Sequence, residues 1–396
     1  MIPLHLSTSR IGPSFSPSSI FPFLSPLLSL LFLIPSLASR GAERALVNLV
    51  NSLDQERYHV TVQTLFEVGE LRDELASHVE YRGGLPFLFR GNVQLMKLFT
   101  PAQLYRMVVR KHYDVVVAYL EGTCTRIISG CPYPDSRKVA WVHIEQPDVA
   151  SFAYCYRSKE EATRCYHLFD QIVAVSQTVK DCIDSFTGRS AKVVHNLIDS
   201  QRILQLAKAS MPDLPFSTTL NLVSVGALTH QKGYDRLLEV HHKLLMAGIP
   251  HHVYVIGGGG EEAVLRHQIE TLGVSDTFHL LGHRTNPYPY LAAADLFVCS
   301  SRQEGYSTAV TEALILGLPV VSTQCSGAEE LLGPQDEYGL VTANSSEGLY
   351  DGIMRILTTP DLLQHYAKQA KLRASYLTVN DAIAEHEALF CLCNLT

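Results

Sequence analysis

The sequence predicts an α/β protein built from two Rossmann-like domains that face one another across a cleft. Three observations carry that prediction. The chain has 396 residues, more than the ~250–300 at which a single core stops growing. Short apolar runs alternate with amphipathic stretches along almost all of it, the pattern of a parallel sheet covered by helices on both faces. The alternation breaks once, at the polar, proline-containing stretch 210–215, and then starts afresh.

The elements follow in order. Ile11 to Ser39 holds no charged residue and is rich in Ser, Pro, Leu and Phe. Its apolar centre has two readings. Followed by Ser36-Leu37-Ala38 it resembles a signal peptide, which would make the protein an exported one. Against this, only Arg10 supplies a leading charge, and Pro22 and Pro26 interrupt the apolar lead-in. The preferred reading is a buried parallel strand, Leu30–Ile34, because the next segment reads as its partner helix. Residues 1–26 are then a disordered or non-native extension. Tyr58–Leu65, Asp114–Tyr119, Lys138–His143, Gln171–Val175 and Ala191–Val194 read as further strands. Ala42–Leu53, Val93–Lys111 and Gln177–Phe186 read as the helices between them. The second series has strands at Leu222–Val225, His252–Ile256, Thr277–Leu281, Leu296–Cys299 and Pro319–Ser322, with helices at Tyr234–Ala247, Glu261–Leu272 and Ser307–Leu316. The expected division is a first domain over 27–205, a second over 218–375, and a terminal helix, 376–396, packing back on the first.

Composition narrows the function. The net charge of −7 offers no general attraction to nucleic acid. No Pro-free apolar run approaches the ~20 residues of a membrane-spanning helix. Nine cysteines are scattered without a CxxC pair, so neither a zinc ribbon nor a redox dithiol is expected, and most are expected to be buried thiols of a cytosolic protein. His241-His242 and His251-His252 lack metal-ligand spacing and read as surface histidines.

Ligands of open parallel sheets bind beyond the carboxyl ends of the strands. Four such loops in the second domain carry unusual residues. Gly226 through Gly233 sets Lys232 beside a helix start, where free N–H groups and a lysine would suit a phosphate. Gly257-Gly258-Gly259-Gly260 permits close backbone approach but lacks dinucleotide spacing, since Glu262 stands where the last glycine would fall. Gly282-His283-Arg284 follows a strand. Glu304-Gly305-Tyr306-Ser307 precedes a helix that carries Glu312. Together they suit a nucleotide-sugar: carboxylates for sugar and ribose hydroxyls, and N–H groups for a diphosphate.

With these residues the run from Val223 to Glu330 resembles the donor domain of family 4 retaining glycosyltransferases of the GT-B fold. The matching positions are Gly226, Lys232-Gly233, Gly257, Gly282, Asp295, the Glu304-x7-Glu312 pair and Gly317-Leu318-Pro319. The first half adds Gly41-Ala42-Glu43, His143, Ser176 and Asn196-Leu197-Ile198-Asp199. The resemblance implies that Lys232 holds the donor phosphates, Glu304 contacts the transferred sugar, Glu312 binds the ribose, and His143 approaches the sugar from the other domain. Gly41, Gly226, Gly257, Gly282, His283, Gly305, Tyr306 and Ser307 complete the expected donor site. Two positions depart from the family pattern: Ala227 stands where Arg is frequent, and Arg40 where a second Gly is usual. No D-x-D motif is present, so neither a metal nor any other cofactor is expected.

Between Tyr81 and Tyr113 there is no acidic residue, while Arg82, Arg90, Lys97, Arg106, Arg110 and Lys111 are interleaved with Leu85, Phe87, Leu88, Phe89, Leu98, Phe99 and Tyr105. That mixture reads either as a solvated basic face or as attachment to an anionic membrane. The resulting expectation is a cytoplasmic glycosyltransferase, peripheral on the inner membrane face. It would transfer a sugar from a UDP- or GDP-linked donor to a glycan or glycolipid acceptor. The alternatives are a nucleotide-sugar epimerase on the same architecture and a non-enzymatic, exported sugar-binding protein.

Overall fold

A computed structural model describes residues 27–38, 41–210, 219–377 and 379–391. The 1–26 extension, Arg40, most of the proline-containing stretch and Cys393 lie outside the described residues. Two parallel sheets form the frame. The first has seven strands: β1 (Leu28–Ile34), β2 (Tyr58–Thr64), β3 (Glu80–Arg82), β4 (Val115–Ala118), β5 (Arg137–Val142), β6 (Gln171–Ala174) and β7 (Lys192–Val193), in the order β3-β2-β1-β4-β5-β6-β7. The second has six: β8 (Leu220–Val225), β9 (His251–Ile256), β10 (Phe278–Leu280), β11 (Leu296–Cys299), β12 (Val320–Thr323) and β13 (Leu340–Thr342), in the order β10-β9-β8-β11-β12-β13.

The apolar run near the start is thus a central strand. Leu30 through Ile34 are fully buried, paired on one side with β2 and on the other with β4. Strands buried on both faces read as continuous apolar runs, which explains the unbroken sequence here. In both sheets the strand order reverses beside the first strand of the series, between β1 and β4 and between β8 and β11. These switch points open the crevices in which ligands of such sheets sit.

The chain ends on the first sheet. Phe390 meets Phe32 and Tyr58 edge to face, His386 stacks on Trp141, and Arg137 Nε donates to the Leu389 carbonyl at 2.8 Å. The carboxyl-terminal segment therefore ties the two halves together.

Three local expectations are corrected. The helix expected over Val93–Lys111 is two, Asn92–Lys97 and Pro101–Val108. Thr100 caps the second by accepting from Gln103 N–H, the Gln103 side chain accepts from Thr100 N–H, and Pro101 fills the first helical position. The short strands β3 and β13 were not expected. His241 and His251 are not surface residues: both are buried, with His241 Nδ1 2.8 Å from His251 Nε2 and His241 Nε2 2.9 Å from Thr277 Oγ1.

Burial lowers the His241 pKa to about 3 and also depresses that of His251. Both are neutral in the folded protein and take up protons once unfolded, so their contribution is present above about pH 6.5 and lost as pH falls below it. Protonation of the unfolded His241 alone should remove about 2 kcal/mol of stability by pH 5. Urea denaturation at pH 7 and pH 5 should show that loss, and His241→Gln should reduce it.

Candidate active site

The loop after β8 and the loop after β11 are sewn together. Arg302 donates to both Asp235 carboxylate oxygens at 2.7 and 2.6 Å and to the His230 carbonyl at 2.8 Å. Arg302 N–H donates to the Gln231 carbonyl, and Ser300 Oγ to the Lys232 carbonyl. This stitching brings Lys232 Nζ to 2.5 Å from Glu304 Oε1, which also accepts from Ser301 Oγ at 2.6 Å. Burial works against the Lys232 charge, and the Glu304 carboxylate overcomes it, holding the ammonium well above the ordinary lysine range. The pair is a fixed positive and negative charge at the mouth of the second sheet.

Ser307 caps the helix Thr308–Ile315, its Oγ accepting from Val310 N–H. Glu312 lies in its second turn, buried, where it accepts from Tyr288 Oη at 3.2 Å. Burial pushes its carboxyl up to about 7, with Arg44 and the Tyr288 hydrogen bond pulling the other way. The helix start faces the other domain: a Cβ at Gly41 would lie 3.2 Å from Thr308 Oγ1. Two helix N-termini, one from each domain, therefore meet at the cleft, a place suited to negative charge.

The first domain approaches most closely at Gly305, where a Cβ would sit 1.7 Å from the His143 carbonyl oxygen. No residue but glycine fits there without moving the domains. The His143 imidazole packs on Tyr119, with ring centroids 4.8 Å apart, and its Nε2 is buried with no hydrogen-bond partner among the described residues. Burial lowers its pKa to about 3, so the ring is neutral. Nearby, Gln303 Nε2 donates to the Glu145 carbonyl at 2.7 Å, and Asn196 Nδ2 to the Tyr306 carbonyl at 3.3 Å. Tyr306 itself is buried and stacks on His195, ring centroids 4.5 Å apart.

Most of the expected residues converge on this cleft. Gly226 and Gly257 pack backbone to backbone, a Cβ on Gly257 falling 1.9 Å from the Gly226 carbonyl oxygen, and Gly257 N–H donates to the Gly282 carbonyl. His283 stands apart at an exposed edge, 3.7 Å from Glu70 of the first domain. The basic residues of 82–111 also lie elsewhere, and two are partly neutralised. Arg82 pairs with Glu80 at 2.7 Å, Lys111 reaches the same carboxylate at 4.0 Å, and Tyr105 is buried rather than presented. Sequence reasoning missed the Arg302–Asp235 clamp, the Tyr288–Glu312 hydrogen bond and Glu121, whose Oε2 accepts from His143 N–H at 2.8 Å. Among the described residues no three His, Cys, Asp or Glu side chains gather as a metal site, and no helix is long and apolar enough to cross a membrane.

Two Rossmann-like domains that meet across a cleft holding a lysine, two carboxylates and paired helix N-termini form a GT-B fold. Residues 39–202 match the family described as Glycosyltransferase Family 4, and residues 210–373 match Glycosyl transferases group 1. The two matches together span most of the chain, which belongs to this group. It is similar to the lipopolysaccharide core biosynthesis glycosyltransferase LpsE of Rhizobium meliloti, 24% identical over 83% of this chain and 89% of the relative. It is 29% identical, over 50% of this chain, to a Campylobacter jejuni enzyme named as an N-acetylgalactosaminyltransferase acting on a diphospho-undecaprenol glycan. The chain spans about half the length of that enzyme (53%) and of an uncharacterized glycosyltransferase of Methanocaldococcus jannaschii (49%). In fold it is similar to Anabaena HepE, solved with UDP and glucose, with a TM-score of 0.72 over 91% of this chain and 99% of that one at 22% identity.

Because Gly305 meets a backbone oxygen, Gly305→Ala should either cost about 1–3 kcal/mol of stability, as overpacking does, or hold the domains apart. Urea denaturation reads the first outcome, and a larger radius of gyration in X-ray scattering the second.

Proposed function

We propose that the protein is a retaining glycosyltransferase that moves a sugar from a UDP- or GDP-linked donor to a polysaccharide or lipid-linked acceptor at the cytoplasmic face of a membrane. The observation that carries this reading is the Lys232–Glu304 pair beside the helix that holds Glu312. Lys232 and the N–H groups at the start of that helix hold the diphosphate, and Glu312 binds the ribose. Glu304 and the free Nε2 of His143 grip the transferred sugar from opposite domains. In the reaction the bond from sugar C1 to the diphosphate oxygen breaks, and a bond from C1 to the acceptor oxygen forms on the same face. The acceptor proton passes to the departing diphosphate, which serves as the base. The protein's contribution is electrostatic: fixed donors aimed at the oxygen where charge grows. No metal is assigned a part, since Lys232 and the N–H groups supply the positive charge.

The acceptor side is supported by a second surface. Phe87, Leu88 and Leu98 are 61%, 63% and 72% exposed, and Arg90, Arg106 and Arg110 of the same segment are exposed as well. Apolar side chains entering a headgroup layer, with each basic residue adding about 1 kcal/mol, suit an anionic membrane. The names of the Rhizobium and Campylobacter relatives, a lipopolysaccharide core enzyme and one acting on an undecaprenol-linked glycan, favour the same class of acceptor.

Thermal denaturation with UDP or GDP should show stabilisation by one of them, absent in Glu312→Ala, because a ligand of the folded state alone raises stability. In steady-state assays with that donor, Lys232→Ala should lose about 2–4 kcal/mol of transition-state stabilisation, roughly thirtyfold to nine-hundredfold in kcat. Near-normal turnover would remove the lysine from its role. The protein should float with anionic vesicles at low salt, and a Phe87→Ser, Leu88→Ser double variant should not. Failure of the unaltered protein to float would discard the membrane surface.

A further inference from the structure

The first sheet has its own crevice, and one carboxylate in it is unused by the donor site. The strand order turns between β1 and β4, so the loops leaving these two strands form the floor on the first domain's side. Glu121 lies in the loop leaving β4. The chain turns there through Gly122, at φ 85° and ψ −114°, where a Cβ would also come within 2.9 Å of Cys155 Sγ. Only glycine accepts that backbone, and the turn fixes where Glu121 stands. One carboxylate oxygen, Oε2, accepts from His143 N–H at 2.8 Å. The carbonyl of the same His143 abuts Gly305, next to Glu304. A single residue therefore separates Glu121 from the loop that carries the sugar-contacting carboxylate. Among the described residues no lysine or arginine forms a salt bridge with Glu121, although it is only partly exposed.

We infer that Glu121 is the residue that receives the acceptor, accepting a hydrogen bond from a sugar hydroxyl and turning it toward the donor loop. This inference rests on the glycosyltransferase reading and extends it to the other half of the cleft. The chemistry selects a neutral, hydroxyl-bearing glycan end, since a carboxylate repels a phosphate or carboxylate placed against it. Burial lifts the Glu121 carboxyl to about 7, with Glu43 adding to the rise and the His143 N–H opposing it. The group is therefore an acceptor-only carboxylate above that pH and gains a proton below it.

The test uses hexyl β-glucoside as the acceptor probe, titrated calorimetrically into the whole protein saturated with whichever of UDP or GDP stabilises it. The unaltered protein should bind the probe about tenfold more tightly than Glu121→Gln, as expected for loss of a charge-assisted hydrogen bond. Its affinity should fall between pH 8 and pH 6, while that of Glu121→Gln stays level. Both proteins should keep the same nucleotide-induced stabilisation. Equal probe affinity in the two proteins, or binding by neither, overturns the assignment. Loss of nucleotide stabilisation in Glu121→Gln alone also overturns it, by making Glu121 a structural support of the donor site. Absence of nucleotide stabilisation in the unaltered protein would instead strike the donor reading, which separates the two failures.

Discussion

The cleft depends on how closely two backbones meet where the His143 carbonyl faces Gly305. That contact sets the distance between the domains, and other groups follow from it. It lets Gln303 reach the Glu145 carbonyl and brings the start of helix Gly41–Ser52 against Thr308. A side chain at position 305 would have to push all of these apart together. Glycine is required there by the opposite domain, not by its own turn.

The electrostatics of the cleft follow from burying acids near few cations. Glu304 has Lys232, whereas Glu312 has a tyrosine hydroxyl and the field of Arg44, and its carboxyl rises to about 7. Buried carboxyls short of positive partners are costly, and a fold keeps them where a ligand will use them. Hydroxyl-rich ligands satisfy such groups with neutral donors. A diphosphate differs, because it brings negative charge and the protein must supply the positive one.

Much of this was legible in the sequence, and the gaps have physical causes. Long apolar strands such as Leu30–Ile34 declare themselves because both faces are buried. The edge strand Glu80–Arg82 does not, since its three residues are only half-buried and two carry charge. Apolar periodicity from Val93 onward continues across Thr100-Pro101, while the capping box that starts the second helix there is a pattern of polar residues. Lys232, Glu304 and Glu312 stand out because they lie in loops, or in a helix, that follow strands and because the Glu304-x7-Glu312 spacing resembles a family pattern. Glu121 was not: a lone acid after a strand has no spacing to announce it, and its meaning comes from His143, twenty-two positions away. Likewise the His241–His251 contact joins a helix to a strand ten positions on, which adjacency in sequence conceals.

The departure at Ala227 gains its weight from this geometry. Arg302, the nearest other guanidinium in the two sewn loops, has both ends engaged, by the Asp235 carboxylate and the His230 carbonyl, and holds the loops rather than a ligand. Lys232 is therefore the cation of these loops that the proposed reading sets on the diphosphate, and it is already paired with Glu304. A diphosphate entering the cleft must draw the lysine from that carboxylate, and Glu304 must then find other donors. The hydroxyls of the transferred sugar are such donors. On the proposed reading, binding of the phosphate and of the sugar are coupled through one ion pair: a nucleoside diphosphate alone would leave Glu304 with Ser301 Oγ as its donor, whereas the complete nucleotide-sugar would bring hydroxyls to it as well. With a second arginine at position 227 the phosphate could be held without breaking the pair. On the proposed reading, alanine at position 227 leaves the Lys232–Glu304 exchange as the step through which a donor would be recognised as a whole.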